Sequence, residues 1–364
     1  MINMKKTVIA ILFSFYSVLT MAQSPFFKYY PTDKDEYINQ VNELPNGNFL
    51  ISGGQTESGQ NRQAYLLLID SLGNKITEKS HPISDTSSIY VVPFFLPNET
   101  NTINIFNLKS IETVDGFKSV VSLEKINTES LITFYKKDFY TTINQSYIPE
   151  RVSISDSLIF LQSTIRDYPS LFYSGTLVSS YDCNFDSIAS YQTQCTMAIG
   201  LLIDTIDKKV KNYTSTGIVS VVKLNYDLSI IDSISLATYA PPSALVVPLS
   251  NNKHIMTFMA DNELNPKQHI KAVSFSNQDI AIDSAEYWNN PDSLLFPGFR
   301  QNTILKGDTL FIVGFYKSIP SQFPYQNEPT YIQITKLDTN MNVISHNFFG
   351  GDAVYFPFKI IETS

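Results

Sequence analysis

Six stretches share one pattern that decides the fold: LLLID-SLGN-KI (66–76), SLEKI-NTES-LI (122–132), VSSYD-CNFD-SI (178–188), VVKLN-YDLS-II (221–231), AVSFS-NQDI-AI (272–282) and ITKLD-TNMN-VI (334–344). In each, an apolar run ends at a four-residue polar turn, and a second apolar alternation starts beyond it at Ile76, Ile132, Ile188, Ile231, Ile282 and Ile344. The isoleucines are 56, 56, 43, 51 and 62 residues apart, so the chain is an array. Units of roughly 40 to 50 residues that read as strand throughout are the signature of propeller blades.

Working outward from the hairpins, two further apolar strands precede each one. The first unit reads INQVNELPNGN, FLISGG, AYLLLID and KITEKSHPI, and the sixth reads FRQNTILKGD, TLFIVGF, TYIQITKLD and VISHNFF. Short strands rich in β-branched and aromatic residues, punctuated by turns such as Pro45-Asn46-Gly47, fit antiparallel sheets. The expected fold is therefore all-β: a β-propeller of six complete four-stranded blades at about 37–84, 88–139, 147–192, 198–238, 244–288 and 299–349. Residues 353–364 read as a closing or orphan strand of a partial seventh blade, to be paired with Phe26–Tyr30. Unit four is the weakest, with VKNYTST as its second strand and almost no link to GIVSVVKLN.

Residues 1–22 have the parts of a secretory signal: Lys5 and Lys6, an apolar run from Thr7 to Leu19, and small residues ending at Ala22, with cleavage before Gln23. That run is 13 residues long, short of the roughly 20 that span a bilayer. The propeller domain would occupy 23–364, with no membrane span after signal removal. Losing two lysines takes the formal charge from −8 to −10, which argues against nucleic acid as a partner. With 25 Phe and 21 Tyr, there is ample apolar mass for packing between blades.

The stretch LPNGNFLISGG…AYLLLIDSLGN, with FFGGDAVYFPFKIIETS at the far end, resembles the secreted propeller-like repeat proteins of bacteria that use the type IX route to the cell surface. The resemblance implies this fold and a secreted, periplasmic or cell-surface location, and no activity. In that family a further repeat and a C-terminal sorting domain often follow the segment corresponding to IIETS. The sequence stops at Ser364 without them, and the expectation is a shortened chain or one released in the periplasm.

No motif carries chemistry. His81, His254, His269 and His346 are scattered singly, outside any metal-ligand spacing, so neither metal nor cofactor is expected. No G-x-S-x-G elbow, no S-x-D-x-G-x-T-W box and no catalytic residue is identified. Asp70, Asp182, Asp227, Asp279 and Asp338 sit at hairpin turns, where Asp accepts bonds from backbone amides two residues on. Asp followed by Ser or Thr and an apolar residue occurs eight times, and resembles an acceptor motif for bacterial O-glycosylation at Ser157, Thr205, Ser233 and Thr309. Turn topology alone produces the same triplet. Cys183 and Cys195 are expected to be free, because the register puts them at opposite ends of one strand.

Connections from strand two to three, and from strand four to the next blade, emerge on one face of such a ring, and ligands favour that face. The register puts Arg166, Asp167, Tyr168, Trp288, Phe323 and Tyr325 there. Aromatic rings beside a guanidinium suit sugar rings or peptide side chains; packed against their own loops, they would do no more than hold those loops down. The sequence favours a binding or scaffolding module for glycan or protein. A glycan-active hydrolase or lyase at the ring mouth is the alternative, and it needs two converging acids where the sequence offers Asp167. A third reading makes the propeller a spacer in a surface protein.

Overall fold

The computed structural model describes residues 35–56, 62–80, 86–113, 116–168, 173–194, 196–240, 245–249, 253–262, 265–287, 294–297, 302–317, 330–338 and 340–350. The signal segment with Ala22 and Gln23, the strand at Phe26–Tyr30 and the closing segment 353–364 lie outside them. Blade one holds β1 (Asp35–Glu43), β2 (Phe49–Thr56), β3 (Gln63–Ile69) and β4 (Lys75–Ser80). Blade two holds β5 (Thr86–Phe94), β6 (Thr102–Thr113), β7 (Gly116–Asn127) and β8 (Thr133–Ile143). Blade three holds β9 (Gln145–Ser155), β10 (Leu158–Asp167), β11 (Tyr173–Tyr181) and β12 (Ser187–Gln194). Blade four holds β13 (Met197–Asp204), β14 (Lys209–Ser215), β15 (Gly217–Asn225) and β16 (Ile230–Ala240). Blade five holds β17 (Leu245–Pro248), β18 (His254–Asn262), β19 (Asn265–Phe275) and β20 (Ala281–Tyr287). In blade six the first strand is split into β21 (Leu294–Pro297) and β22 (Thr303–Lys306), both paired with β23 (Thr309–Lys317), followed by β24 (Tyr331–Asp338) and β25 (Val343–Gly350).

Every blade is an antiparallel meander, and the six form a ring. First strands of consecutive blades touch one another, as β1 does β5 and β13 does β17, so they line the inner wall. Burial follows position. In blade three the middle strands β10 and β11 are buried almost throughout while β12 alternates, because the outermost strand has a neighbouring blade on neither side of its edge. That explains near-continuous apolar runs such as AYLLLI beside half-polar ones such as KITEKS. The six repeat-marking isoleucines start the outermost strands and are 43–64% exposed, so they mark the repeat without building its core. Unit four is complete: Thr216 alone links β14 to β15, which accounts for the shortest repeat spacing.

The third-to-fourth hairpins are one device repeated. Asp70, Asp182 and Asp338 each accept backbone N–H groups two and four residues on, and Ser276 does the same through its hydroxyl. A bulge follows at each, between Leu68 and Ile69 in blade one and between Lys336 and Leu337 in blade six. The residue that closes the turn takes a positive φ: Gly73 (75°), Leu131 (53°), Phe185 (63°), Leu228 (61°), Asp279 (64°) and Met341 (66°). Left-handed backbone is costly for side-chain-bearing residues, and packing repays it here. Leu131 enters the cluster between blades one and two with Leu50, Leu66 and Ile105. Phe185 sits between blades two and three, edge-on to Phe94 at 6.3 Å. Leu228 fills the next seam, beside Phe160 and Leu201, and Met341 fills the one between blades five and six, beside Ile255 and Leu310. In blades two, three, four and six the turn thus plugs the gap to the preceding blade. Asp279 departs from the turn role the sequence suggested, because its side chain points into a seam; Ser276 holds its turn instead.

Two neighbouring changes separate plug from marker. Phe185→Ala is expected to lose about 3–5 kcal/mol in urea unfolding, as large-to-small core changes do. Ile188→Ser, three residues on and half exposed, should shift stability by about 0.5 kcal/mol or less.

Candidate functional site

The connections from second to third strands and from blade to blade meet on one face, the mouth. Between blades two and three the link is a single residue, Asn144, with φ 58°. Its N–H donates to the Phe117 carbonyl at 2.7 Å, its side-chain oxygen accepts the Phe117 N–H at 3.2 Å, and its carbonyl accepts the Tyr168 N–H at 2.9 Å. A Cβ on Gly116 would lie 2.4 Å from that side-chain oxygen, so glycine is required for Asn144 to reach in. The result clamps Phe117 and Tyr168 face to face, with centroids 3.9 Å apart and planes 6° from parallel.

Arg166 lies over the ring of Tyr173, 5.7 Å from its centroid, and Tyr168 and Tyr173 each keep part of their surface in solvent. Arg166, Tyr168, Tyr173 and Phe117 form an aromatic and cationic ledge. Asp167 is absorbed by the scaffold: Gln145 Nε2 donates to it at 3.1 Å and Ser174 Oγ at 2.9 Å. Below the ledge Tyr140 stacks on Tyr147 at 5.4 Å and hydrogen-bonds Tyr181 at 2.8 Å; burial pushes the Tyr181 phenol well above its usual range, which keeps it neutral.

One seam over, on the same face, a cavity of about 370 Å³ opens between blades one and two, lined by Thr56, Arg62, Ser87, Ser88, Ile89, Leu108 and Ser110. Its volume falls within the range of small-ligand pockets. Ser88 is fixed from both sides: its N–H donates to the Arg62 carbonyl at 2.8 Å and its hydroxyl to Asn107 at 3.1 Å, and Asn107 is held in turn by Glu124 at 3.0 Å. Among the described residues, hydroxyls, one guanidinium and two aliphatic side chains line it.

Of the residues the sequence placed at the mouth, Arg166 and Tyr168 come together, while Trp288, Phe323 and Tyr325 lie outside the described residues. Sequence reasoning missed Phe117, Asn144, Tyr173 and the hydroxyl-lined cavity. The Gly116-Phe117 pair was a visible signal for a tight turn carrying an aromatic; the serines of β5 carried none. Cys183 is a free, exposed thiol, and Cys195 lies outside the described residues. Asn212, within an Asn-x-Thr sequon, is fully buried and bonded to Gln162 at 2.6 Å, which removes it as a glycan acceptor. His254 and His269 stand at opposite ends of the β18–β19 pair, and no group of three or more His, Cys, Asp or Glu among the described residues is placed to hold a metal. No helix among them is long and apolar enough to cross a membrane.

Ring, meander and mouth define the class: a six-bladed β-propeller. No protein family and no curated protein matches the sequence. Among solved structures, a variant of the Synechocystis apocarotenoid oxygenase matches with a TM-score of 0.54 and 7% identity, over 89% of this chain and 74% of that one. A protein of unknown function from Bacteroides caccae matches at 0.38 and 11%, over 88% and 84%. The C-terminal WD40 domain of Sif2 matches at 0.45 and 12%, over 86% and 85%. At these identities the likeness is one of fold alone.

The Phe117–Tyr168 stack is expected to show a coupling of about 0.5–1.5 kcal/mol in a double-alanine cycle followed by denaturant unfolding. Zero coupling would leave both rings as independent surface groups.

Proposed function

We propose that the chain is a secreted or cell-surface propeller that binds a glycan or protein ligand at its mouth and acts as a binding or scaffolding module. The observation that carries this reading is the strip of mouth surface from blade one to blade three. There a 370 Å³ hydroxyl-lined cavity lies one seam from a rigid ledge of Phe117, Tyr168, Tyr173 and Arg166. Stacked, pre-positioned rings lose little freedom on binding, and serine hydroxyls offer the two-way hydrogen bonding that sugars and peptide groups need. Two features support binding over glycan hydrolysis or elimination. Asp167, the acid the sequence placed at the mouth, is engaged by Gln145 and Ser174, and the cavity lining contributed by the described residues carries hydroxyls and a guanidinium with no carboxylate among them.

Secretion belongs to the same proposal, resting on the signal pattern of residues 1–22 with cleavage between Ala22 and Gln23. So do the acceptor triplets. Ser157 and Thr205 are exposed in turns between first and second strands, Thr309 follows such a turn half-buried, and Ser233 is exposed on the outermost strand of blade four. Those turns lie opposite the mouth, so sugars there would leave the ligand face open.

Glycan-array screening of the secreted protein is expected to return ligands whose binding depends on the mouth. Alanine at Tyr168 and Tyr173 together should raise Kd by roughly 5- to 150-fold, at ~0.5–1.5 kcal/mol per ring. An unchanged Kd would move the site elsewhere. Intact-mass and peptide analysis of exported protein should show an N-terminus at Gln23 and added sugar on at least one of Ser157, Thr205, Ser233 and Thr309; an N-terminus at Met1 or Ile2 would refute secretion through this signal.

A further inference from the structure

We propose that the seam between blades four and five is an acid-released latch, in which His254, Tyr213 and Asp279 form a hydrogen-bonded relay clamped by Lys211 and Lys223, and proton uptake opens this seam ahead of the others. The starting observation is an exception within a repeat. Among the described third-to-fourth turns, the left-handed residue is glycine in blade one and apolar in blades two, three, four and six, whereas blade five supplies Asp279. The side chain of Asp279 is fully buried.

Blade four is built to receive that carboxylate. From β14, Lys211 Nζ stands 3.1 Å from Asp279 Oδ2, and the Tyr213 hydroxyl donates to Oδ1 at 2.5 Å. From β15, Lys223 Nζ reaches Oδ2 at 3.0 Å. From β18, His254 Nε2 lies 3.0 Å from the Tyr213 oxygen and 3.6 Å from Asp279 Oδ1. Because the tyrosine proton goes to the carboxylate, the Tyr213 oxygen is left to accept, and the hydrogen between the two groups sits on His254 Nε2. Lys211 also donates to the Asn277 carbonyl in the turn, and Asp204 at the end of β13 faces Lys211 and Asn277. Apolar walls from Ile199, Val221, Met256 and Phe275 close around the group, and His254 stacks on Phe275 at 5.2 Å.

A plug made of leucine is indifferent to pH. This one is not. Burial pushes the His254 imidazole down to about 4, against roughly 6.5 for a free side chain. Burial also works against the ionised Asp279, but the Tyr213 hydroxyl and the Lys223 and Lys211 ammonium groups outweigh it and hold the carboxyl below its usual range. Both shifts act in one direction. Between about pH 6.5 and 4 the opened seam binds a proton on His254 that the closed seam refuses, so opening becomes more favourable as pH falls. Lower still, Asp279 protonates and releases two lysines that have lost their partner, a costly state for buried charge.

Hydrogen exchange on the full chain, corrected for intrinsic rates at each pH, tests the latch. Peptides covering 209–225 and 272–287 are expected to show an opening equilibrium that rises by up to about tenfold per pH unit between pH 6 and 4, the slope of one proton. Peptides at the Phe185 seam should stay flat in that window. His254→Gln, which can still bond Tyr213, is expected to flatten the response while leaving protection at pH 7 in place. A parallel rise at all seams, no rise at this one, or an unchanged slope in His254→Gln overturns the proposal. The wild-type comparison between seams decides alone should the variant not fold.

Discussion

The structure depends on a backbone constraint repeated at every blade: the last residue of the third-to-fourth turn must adopt a left-handed conformation. That conformation makes room for a bulge, and in every blade but the first, where the residue is Gly73, the bulge aims one side chain out of its own sheet and into the preceding blade. Flat sheets stacked around an axis leave wedge-shaped gaps toward the periphery. A side chain delivered from the turn fills such a gap at the point where neither sheet can, and Leu131, Phe185, Leu228 and Met341 each sit inside the cluster joining two blades. The polar first residue of the turn and the plug are two halves of one device. The first holds the loop in shape through its bonds to backbone amides, and the second uses that shape.

Much of this was legible in sequence. The turn tetrads gave the array, the blade count and the antiparallel class, because a fixed loop geometry selects Asp, Asn or Ser at its start wherever it recurs. The identity of the plug was not legible, since Leu131 and Phe185 read as ordinary turn residues until a neighbouring blade is placed against them. Asp279 shows why. In sequence it is one more acid at a hairpin, three residues beyond the turn-holding Ser276, and the approach of Lys211 and Lys223 from another blade gives it a role unlike that of Asp70. The isoleucines behaved in the opposite way: conspicuous in the pattern, they lie on the solvent side of the outermost strands.

The mouth divides along similar lines. Arg166 and Tyr168 were accessible because an aromatic beside a cation on a loop stands out, and the face on which a loop emerges follows from counting strands. Asn144 and Ser88 were not. Their roles come from single contacts across a blade boundary, the Asn144 bonds to Phe117 and Tyr168 and the Ser88 bond to Asn107, and no local pattern encodes such contacts. Composition pointed to polar connections, and geometry sorted those that build from those that are available.

The one-residue connections at Asn144 and Thr216 have a consequence for how such a ring can change over time. A link of one residue has no slack: lengthening it would break three hydrogen bonds at Asn144, or the pairing that starts beside Thr216. The spread in repeat spacing, 43 to 62 residues, therefore has to be taken up elsewhere. Insertions that leave the ring intact are confined to the longer connections. Grafted peptides and newly acquired loops would be tolerated there, and blades two and three would be inherited as an indivisible pair.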